Sequence, residues 1–586
     1  IIYNTISSRR AVRRMERMNI MKFSDYQYQR VPLNPIPPEI SSIPEKIDSA
    51  QSQEEFLELL GQADGFKRKL ATMYNICYIR HTINTQDEFY SRENDYYDQN
   101  LPAAEQFSTS LSRAVMQSKW LDCAREELGE TCLINAQLAQ KAFSPEIAAD
   151  MAEENMLQSE YQKLIASANI EFDGQRVNLS RLTPFKQDMQ RDVRRRAWEA
   201  ESRFMEENGS KLDDIFDRLV KVRTRMAKKL GFDSFTDMAY CRLKRADYGR
   251  NETSAFCEQV RKEIVPLSTH LIQLQHKRNE IDDPMIWDRS LSFKEGNPRP
   301  QGTPEEIFDK GRKMYTELSP LTAEFIEFML SSGLFDVLSR DGKASGGYCT
   351  SIPDYNSPFV FANFNGTAGD VEVLTHECGH ALNSYISLRK VKYIEQEEPS
   401  YDIAEIHSMG MEFMTYPYMG LFFGEQKENF IYQHLADAII FLPYGCMVDR
   451  FQHIVYDNPD LTPQERHKEW LKLEMAYRPD IDYGDIQYFA HGGWWQRQLH
   501  IYMHPFYYID YCLAQSAAFM LLNIMREDAQ KGWDKYLELL KKGAQLTYTR
   551  LLEEMGLDSP FEKGALRQIV GPSYMELLRR NAQLAQ

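Results

Sequence analysis

Most of this chain repeats one pattern: stretches rich in Glu, Lys, Arg, Gln, Leu, Met and Ala in which apolar residues recur three to four positions apart. That period gathers the apolar residues on one face of an α-helix, so a mainly α fold is predicted. Residues 66–81, 146–166, 185–204 and 253–276 carry the pattern most clearly, with a kink expected at Pro266. Two segments break it. Residues 170–180 alternate around Asp173-Gly174, a dipeptide that favours a tight hairpin turn. Residues 346–367 (GGYCTSIPDYNSPFVFANFNGT) are rich in Gly, Asn, Pro and aromatic side chains, which predicts a small β-sheet feeding the next helix.

A length of 586 residues exceeds one small core and suits a large body with a deep site. The Pro-rich segment 31–38 and the polar segment 298–304 read as loops. They suggest an N-terminal helical lobe over 21–290 and a second lobe over 291–586. Residues 1–20, with five arginines and no apolar stretch of the secretory kind, read as an extension before Met21.

Lys and Arg total 69 against 86 Asp and Glu, a net charge of −17, which disfavours nucleic acid and anionic membranes as partners. The longest nearly apolar run, 438–448, is far short of the roughly 20 residues a bilayer span needs. The nine cysteines are scattered, with no CxxC pair, which suits a reducing cytoplasm and argues against a disulfide framework or a thiolate metal site.

Chemistry concentrates at Thr375-His376-Glu377-Cys378-Gly379-His380. On a helix, His376 and His380 share a face and point at one metal ion, with Glu377 beside the remaining coordination position. Catalytic zinc takes three protein ligands and keeps a fourth position open, so one more ligand is needed. The metzincin solution is excluded, because Asn383 and Ile386 stand where that pattern has Gly and His. A carboxylate on a second helix is the other solution. Glu405 offers it, and Glu412, on the same face seven residues on, is placed to hold the far nitrogen of a ligand histidine.

The blocks PFVFANFNGTAGDVEVLTHECGHALNSY, AEIHSMGMEF and HIYMHPFYYIDYCLAQ, in this order and spacing, resemble the thimet oligopeptidase superfamily, in particular its oligoendopeptidase F and Pz-peptidase branch. The resemblance implies a two-lobed helical body split by a deep substrate channel, with one zinc ion on its floor held by His376, His380 and Glu405. It also implies that a histidine and tyrosines of the third block steady the substrate carbonyl, roles that fall on His500, Tyr508 and Tyr511. Spacing in this block leaves His504, Tyr507 and Tyr502 as alternatives. Pro505 is expected in the first turn of the helix carrying the tyrosines, and His491-Gly492-Gly493 as a loop that closes over substrate.

The function these residues point to is zinc-dependent cleavage of short unstructured peptides by a zinc-bound water, with Glu377 as general base. Main-chain pairing of substrate along an exposed strand edge at 359–364 would place Ala362, Asn363 and Phe364 against the peptide. Likeness to Pz-peptidases suggests Gly/Pro-containing substrates. A dipeptidyl carboxypeptidase and a non-catalytic zinc-containing peptide-binding protein are the alternatives. The second gives no chemical reason for Glu377.

Overall fold

The structure, a computed structural model, describes residues 21–584, so the expectation for residues 1–20 lies outside the described residues. It is 72% helical, with one sheet of two strands and one of three, as the apolar period predicts. Among the described residues no helix is long and apolar enough to cross a membrane.

The first half is built from long capped helices. In α1 (Gln53–Ile83), the Ser52 hydroxyl accepts from the Glu55 N–H, and Arg80 sits in the last turn, where its charge is opposite in sign to that end of the helix dipole. In α2 (Glu88–Gln117), the Asp87 carboxylate accepts from the Phe89 and Tyr90 N–H groups. Helix α3 (Ala148–Ala166) leads into the predicted hairpin of β1 (Ile170–Phe172) and β2 (Gln175–Val177), where Asp173 and Gly174 both take positive φ. Helix α4 (Gly209–Lys229) packs on α3.

Two helix boundaries differ from the sequence pattern. The helix expected over 185–204 begins at Arg191, because the preceding short helix ends at Lys186 and Asp188 caps the Gln190 N–H. The kink expected at Pro266 is a π-turn over Val260–Ile264, which places the proline in the first turn of the next segment, where its missing N–H breaks no hydrogen bond.

The three-stranded sheet contains β3 (Phe335–Leu338), β4 (Tyr348–Ile352) and β5 (Ser357–Phe364) in the order β3-β5-β4. Strand β5 is therefore the middle strand, parallel to β3 and antiparallel to β4. The expectation of an exposed edge at 359–364 is corrected: a nearly continuous apolar run is what a strand covered on both faces requires. The N-terminal segment returns to this sheet, with the Phe23 ring 4.5 Å from Phe359 and the Tyr26 hydroxyl 2.8 Å from that of Ser357.

Four helices follow that bear on the site: α5 (Gly369–Ser387), α6 (Tyr401–Met414), α7 (Lys427–Asp457) and α8 (Tyr508–Glu527). Residues of the first half satisfy the backbone of the loop before α8. The Tyr161 hydroxyl, Arg223 Nη2, Gln158 Nε2 and Arg245 Nη2 donate to the carbonyls of Gln496, Tyr502, Met503 and Phe506 at 3.1, 2.5, 2.7 and 2.5 Å.

Candidate active site

Strand β5 hands the chain to α5 through Asn365-Gly366, whose N–H groups both donate to the Asp370 carboxylate at 2.8 Å, fixing the start of the helix. Nearly two turns further, His376 and His380 lie on the same face with ring centroids 5.1 Å apart. Helix α6 crosses this face closely. A Cβ at Gly379 would lie 2.5 Å from the His407 carbonyl oxygen, so the glycine inside HECGH allows the two backbones to meet. That crossing delivers Glu405, only 1% exposed, whose Oε2 lies 3.2 Å from His376 Nε2 and 3.4 Å from His380 Nε2. The three side chains form a group able to hold a metal ion, their ligand atoms all within 4.8 Å of one another.

Behind them runs a chain of polar contacts. His376 Nδ1 is 2.6 Å from Glu412 Oε1, Glu412 Oε2 is 2.8 Å from His434 Nε2, and His434 Nδ1 is 2.7 Å from the Tyr416 hydroxyl. An Nδ1–H donated to Glu412 leaves His376 Nε2 with its lone pair facing Glu405 and His380. Glu412 thus sits where the sequence placed it, while His434 and Tyr416 have no spacing relation that would have announced them.

Glu377 is 6% exposed and its Oε2 has no hydrogen-bond partner. Burial raises its pKa, against the opposing effect of His376 and His380. Gly347, in the loop just before β4, faces it, and a Cβ there would stand 3.3 Å from Glu377 Oε1. Both residues line a cavity of about 350 Å³ that also touches His376.

The third block places its residues unequally. The Tyr507 hydroxyl donates to Glu405 Oε1. Tyr511 stacks on Tyr507, with centroids 5.0 Å apart, and its hydroxyl is 3.2 Å from His500 Nε2. Burial lowers His500 to about 3, which keeps its imidazole neutral. Tyr508 packs on Phe441 and Tyr444 of α7, with its ring 5.0 Å from His500. His504 is lowered to about 4 by burial and lies with its ring 6.2 Å from that of Tyr507. Tyr502 is a core residue, wholly buried and stacked 3.9 Å from Tyr161, and is removed from the alternatives.

Other expectations change on structural grounds. Helix α8 begins at Tyr508, not at Pro505, because Phe506 is left-handed (φ 68°), donates its N–H to Gln452 Oε1 at 2.8 Å and gives its carbonyl to Arg245. The glycines of His491-Gly492-Gly493 are packing sites. A Cβ on Gly492 would lie 2.4 Å from the His467 carbonyl oxygen, and one on Gly493 2.4 Å from the Tyr488 ring. Ala362 and Phe364 are buried in the middle strand. Asn363 Nδ2 donates at 2.9 Å to the carbonyls of Ala344 and Gly346, bracing the loop that carries Gly347.

A buried network not legible in the sequence joins these parts. Arg245 Nη2 donates to Asp510 Oδ1 of α8 at 2.7 Å. The Tyr248 hydroxyl reaches Asp402 Oδ2 of α6 at 2.7 Å and Asp510 Oδ1 at 3.3 Å. It ties the helix of Glu405 to that of Tyr511 through residues separated by more than a hundred positions, which no local pattern encodes.

An HExxH helix completed by a carboxylate from a second helix is the ligand pattern of one class of zinc metallopeptidases. The chain belongs to peptidase family M3: the family model matches residues 185–571, and the model described as the peptidase M3 N-terminal domain matches residues 23–143. Within the family it falls in the oligoendopeptidase F branch. It is similar to the solved structure of Pz peptidase A with inhibitor 2, at 42% identity and a TM-score of 0.94 over 95% of this chain and 99% of that one. A putative oligoendopeptidase F from Bacillus anthracis str. Ames matches at 38% identity and 0.89 over 96% and 99%. Oligopeptidase PepF of Bacillus subtilis is 24% identical over 61% of this chain, and the match spans 55% of that protein's length.

Proposed function

We propose that this chain is a zinc-dependent endopeptidase that hydrolyses short, unstructured peptides, Gly/Pro-containing ones among them, in a channel between its halves 21–290 and 291–586. The observation that carries the reading is Glu377 Oε2, buried and without a partner beside the His376–His380–Glu405 group. A buried carboxylate left unpaired costs stability, and a general base is the role that repays it.

The donor set fits zinc. Ligands about 2.0–2.1 Å from a tetrahedral ion stand roughly 3.3 Å apart, and the 3.2 and 3.4 Å separations of Glu405 Oε2 from the two imidazole nitrogens agree. Bound by these residues, zinc supplies a Lewis acid that polarises a peptide carbonyl and acidifies water. Glu377 takes the proton of the attacking water and passes it to the leaving amine. In this reading Tyr511 and His500, grouped with Tyr507 beside Glu405, supply the donors that stabilise the oxyanion, and Tyr508 shapes the wall behind them. Glu412 holds His376 in the ligating tautomer.

The test is cleavage of an internally quenched peptide of about ten residues, a length an open cleft binds extended, by the purified protein, before and after chelation and zinc restoration. Activity lost on chelation and restored by zinc is expected, with internal cutting of C-terminally amidated peptides. Cutting only of free C-termini would redirect the reading to a dipeptidyl carboxypeptidase. Zinc and peptide binding without cleavage would leave a binding protein.

A further inference from the structure

The cavity beside Glu377 carries more negative charge than the reaction uses. Its lining includes Glu372, Glu412 and Asp437, and neither a lysine nor an arginine. Glu412 is engaged by His376 and His434. Glu372, one turn before His376 on α5, and Asp437, one turn after His434 on α7, have no ion-pair partner among the described residues. The nearby Arg289 guanidinium is taken by Asp480.

Two further observations indicate what is missing. Gln515 of α8 also lines the cavity, is 4% exposed, and leaves its Nε2 without an acceptor. A buried amide donor of this kind is ordinarily paired, and a carbonyl of a bound peptide would pair it. The rest of the wall is apolar, with Val373, Met409, Ala438 and Phe441. An apolar sleeve ending in carboxylates matches a side chain with an aliphatic stem and a cationic head. Partial burial holds Glu372 up at about 7, a condition that an entering cation relieves.

We propose that this cavity is a specificity subsite for a lysine or arginine of the substrate flanking the scissile bond, with the side-chain cation set between Glu372 and Asp437 and the main chain of that residue held by Gln515. The inference rests on the peptidase reading, because the cavity is placed by its contact with His376 and Glu377. It makes the enzyme selective where main-chain binding alone would leave it broad. Arginine suits the site better than lysine, since a planar fork can address two separated carboxylates at once.

The experiment compares internally quenched peptides that carry arginine or its neutral isostere citrulline at each position flanking the bond, with cleavage sites read by mass spectrometry. The wild type should prefer arginine at one position by about tenfold in kcat/KM, the scale of a partly desolvated charge-assisted contact. In Glu372→Gln/Asp437→Asn that ratio should fall toward one, and taking the ratio within each variant removes any effect of lost folded protein. Asp437→Lys, at an exposed position on the rim, should shift the preference toward glutamate. An arginine-to-citrulline ratio near one at every position in the wild type overturns the proposal while leaving the peptidase reading intact. So does a preference that survives in the double variant. Cleavage of neither peptide removes the peptidase reading itself, and the subsite with it.

Discussion

Buried charge is treated in opposite ways in two regions of the molecule. In the first half several buried carboxylates are matched by cations. Glu154 accepts from Arg223 Nε at 2.6 Å and Arg242 Nη1 at 2.7 Å, Glu201 lies between Lys186 and Arg497, and Asp288 accepts from Arg194 at 2.6 Å and Arg191 at 2.7 Å. Around the HExxH helix the pattern changes: buried Glu377 leaves its Oε2 unpartnered, and Glu372, on the same helix, makes no ion pair among the described residues. On the proposed function, the contrast separates charge that holds a fold together from charge available to an incoming group.

Glu377→Gln should break the contrast most visibly. Loss of the general base is expected to lower kcat/KM by about a thousandfold or more. Thermal unfolding should be unchanged or slightly later, because no partner is stranded and a buried charge is removed. A variant that loses stability in step with activity would place Glu377 with the structural carboxylates.

Glu201→Ala should do the reverse. It strands Lys186 and Arg497 and is expected to cost about 3–5 kcal/mol in denaturant unfolding, with little change in kcat/KM for the protein that remains folded. Acid gives a third measure. Its two arginines hold Glu154 at about 2 despite burial, and Glu201 is held at about 2 by Lys186 and Arg497. Folded-state values below the unfolded one add stability that is fully present above roughly pH 5 and is lost as pH falls through about 2, on the order of 3 kcal/mol for each group. Glu154→Gln should flatten that stretch of the stability profile.

The smallest effect is expected where the two regimes meet. Arg245 donates to Asp510, the Tyr248 hydroxyl bridges Asp510 and Asp402, and burial raises Asp510 to about 8. Tyr248→Phe should cost about 1 kcal/mol of stability and lower kcat a few-fold at unchanged KM and metal content. No change in kcat would make the network purely structural.

What was legible in the sequence follows from range. His376, Glu377 and His380 share one helical turn, and Glu405 and Glu412 share two, so the 3.6-residue period placed them correctly on their faces. In the third block the decisive choice between Tyr507 and Tyr508 depends on where α8 starts. That start is set by the left-handed Phe506 and by Arg245, a partner 261 positions away. Strand order was hidden for the same reason: the run at 357–364 reads equally well as edge or centre until β3 is known to pair on its far side. Glycine was ambiguous in kind, since a pair expected to bend at Gly492-Gly493 is there to let other groups come close.

The carbonyls of Gln496, Tyr502, Met503 and Phe506 are seated on Tyr161, Arg223, Gln158 and Arg245. During synthesis these seats emerge from the ribosome more than two hundred residues before the loop they receive. A nascent chain that has already exposed HECGH therefore still lacks the tyrosines of α8 and the contacts that orient them.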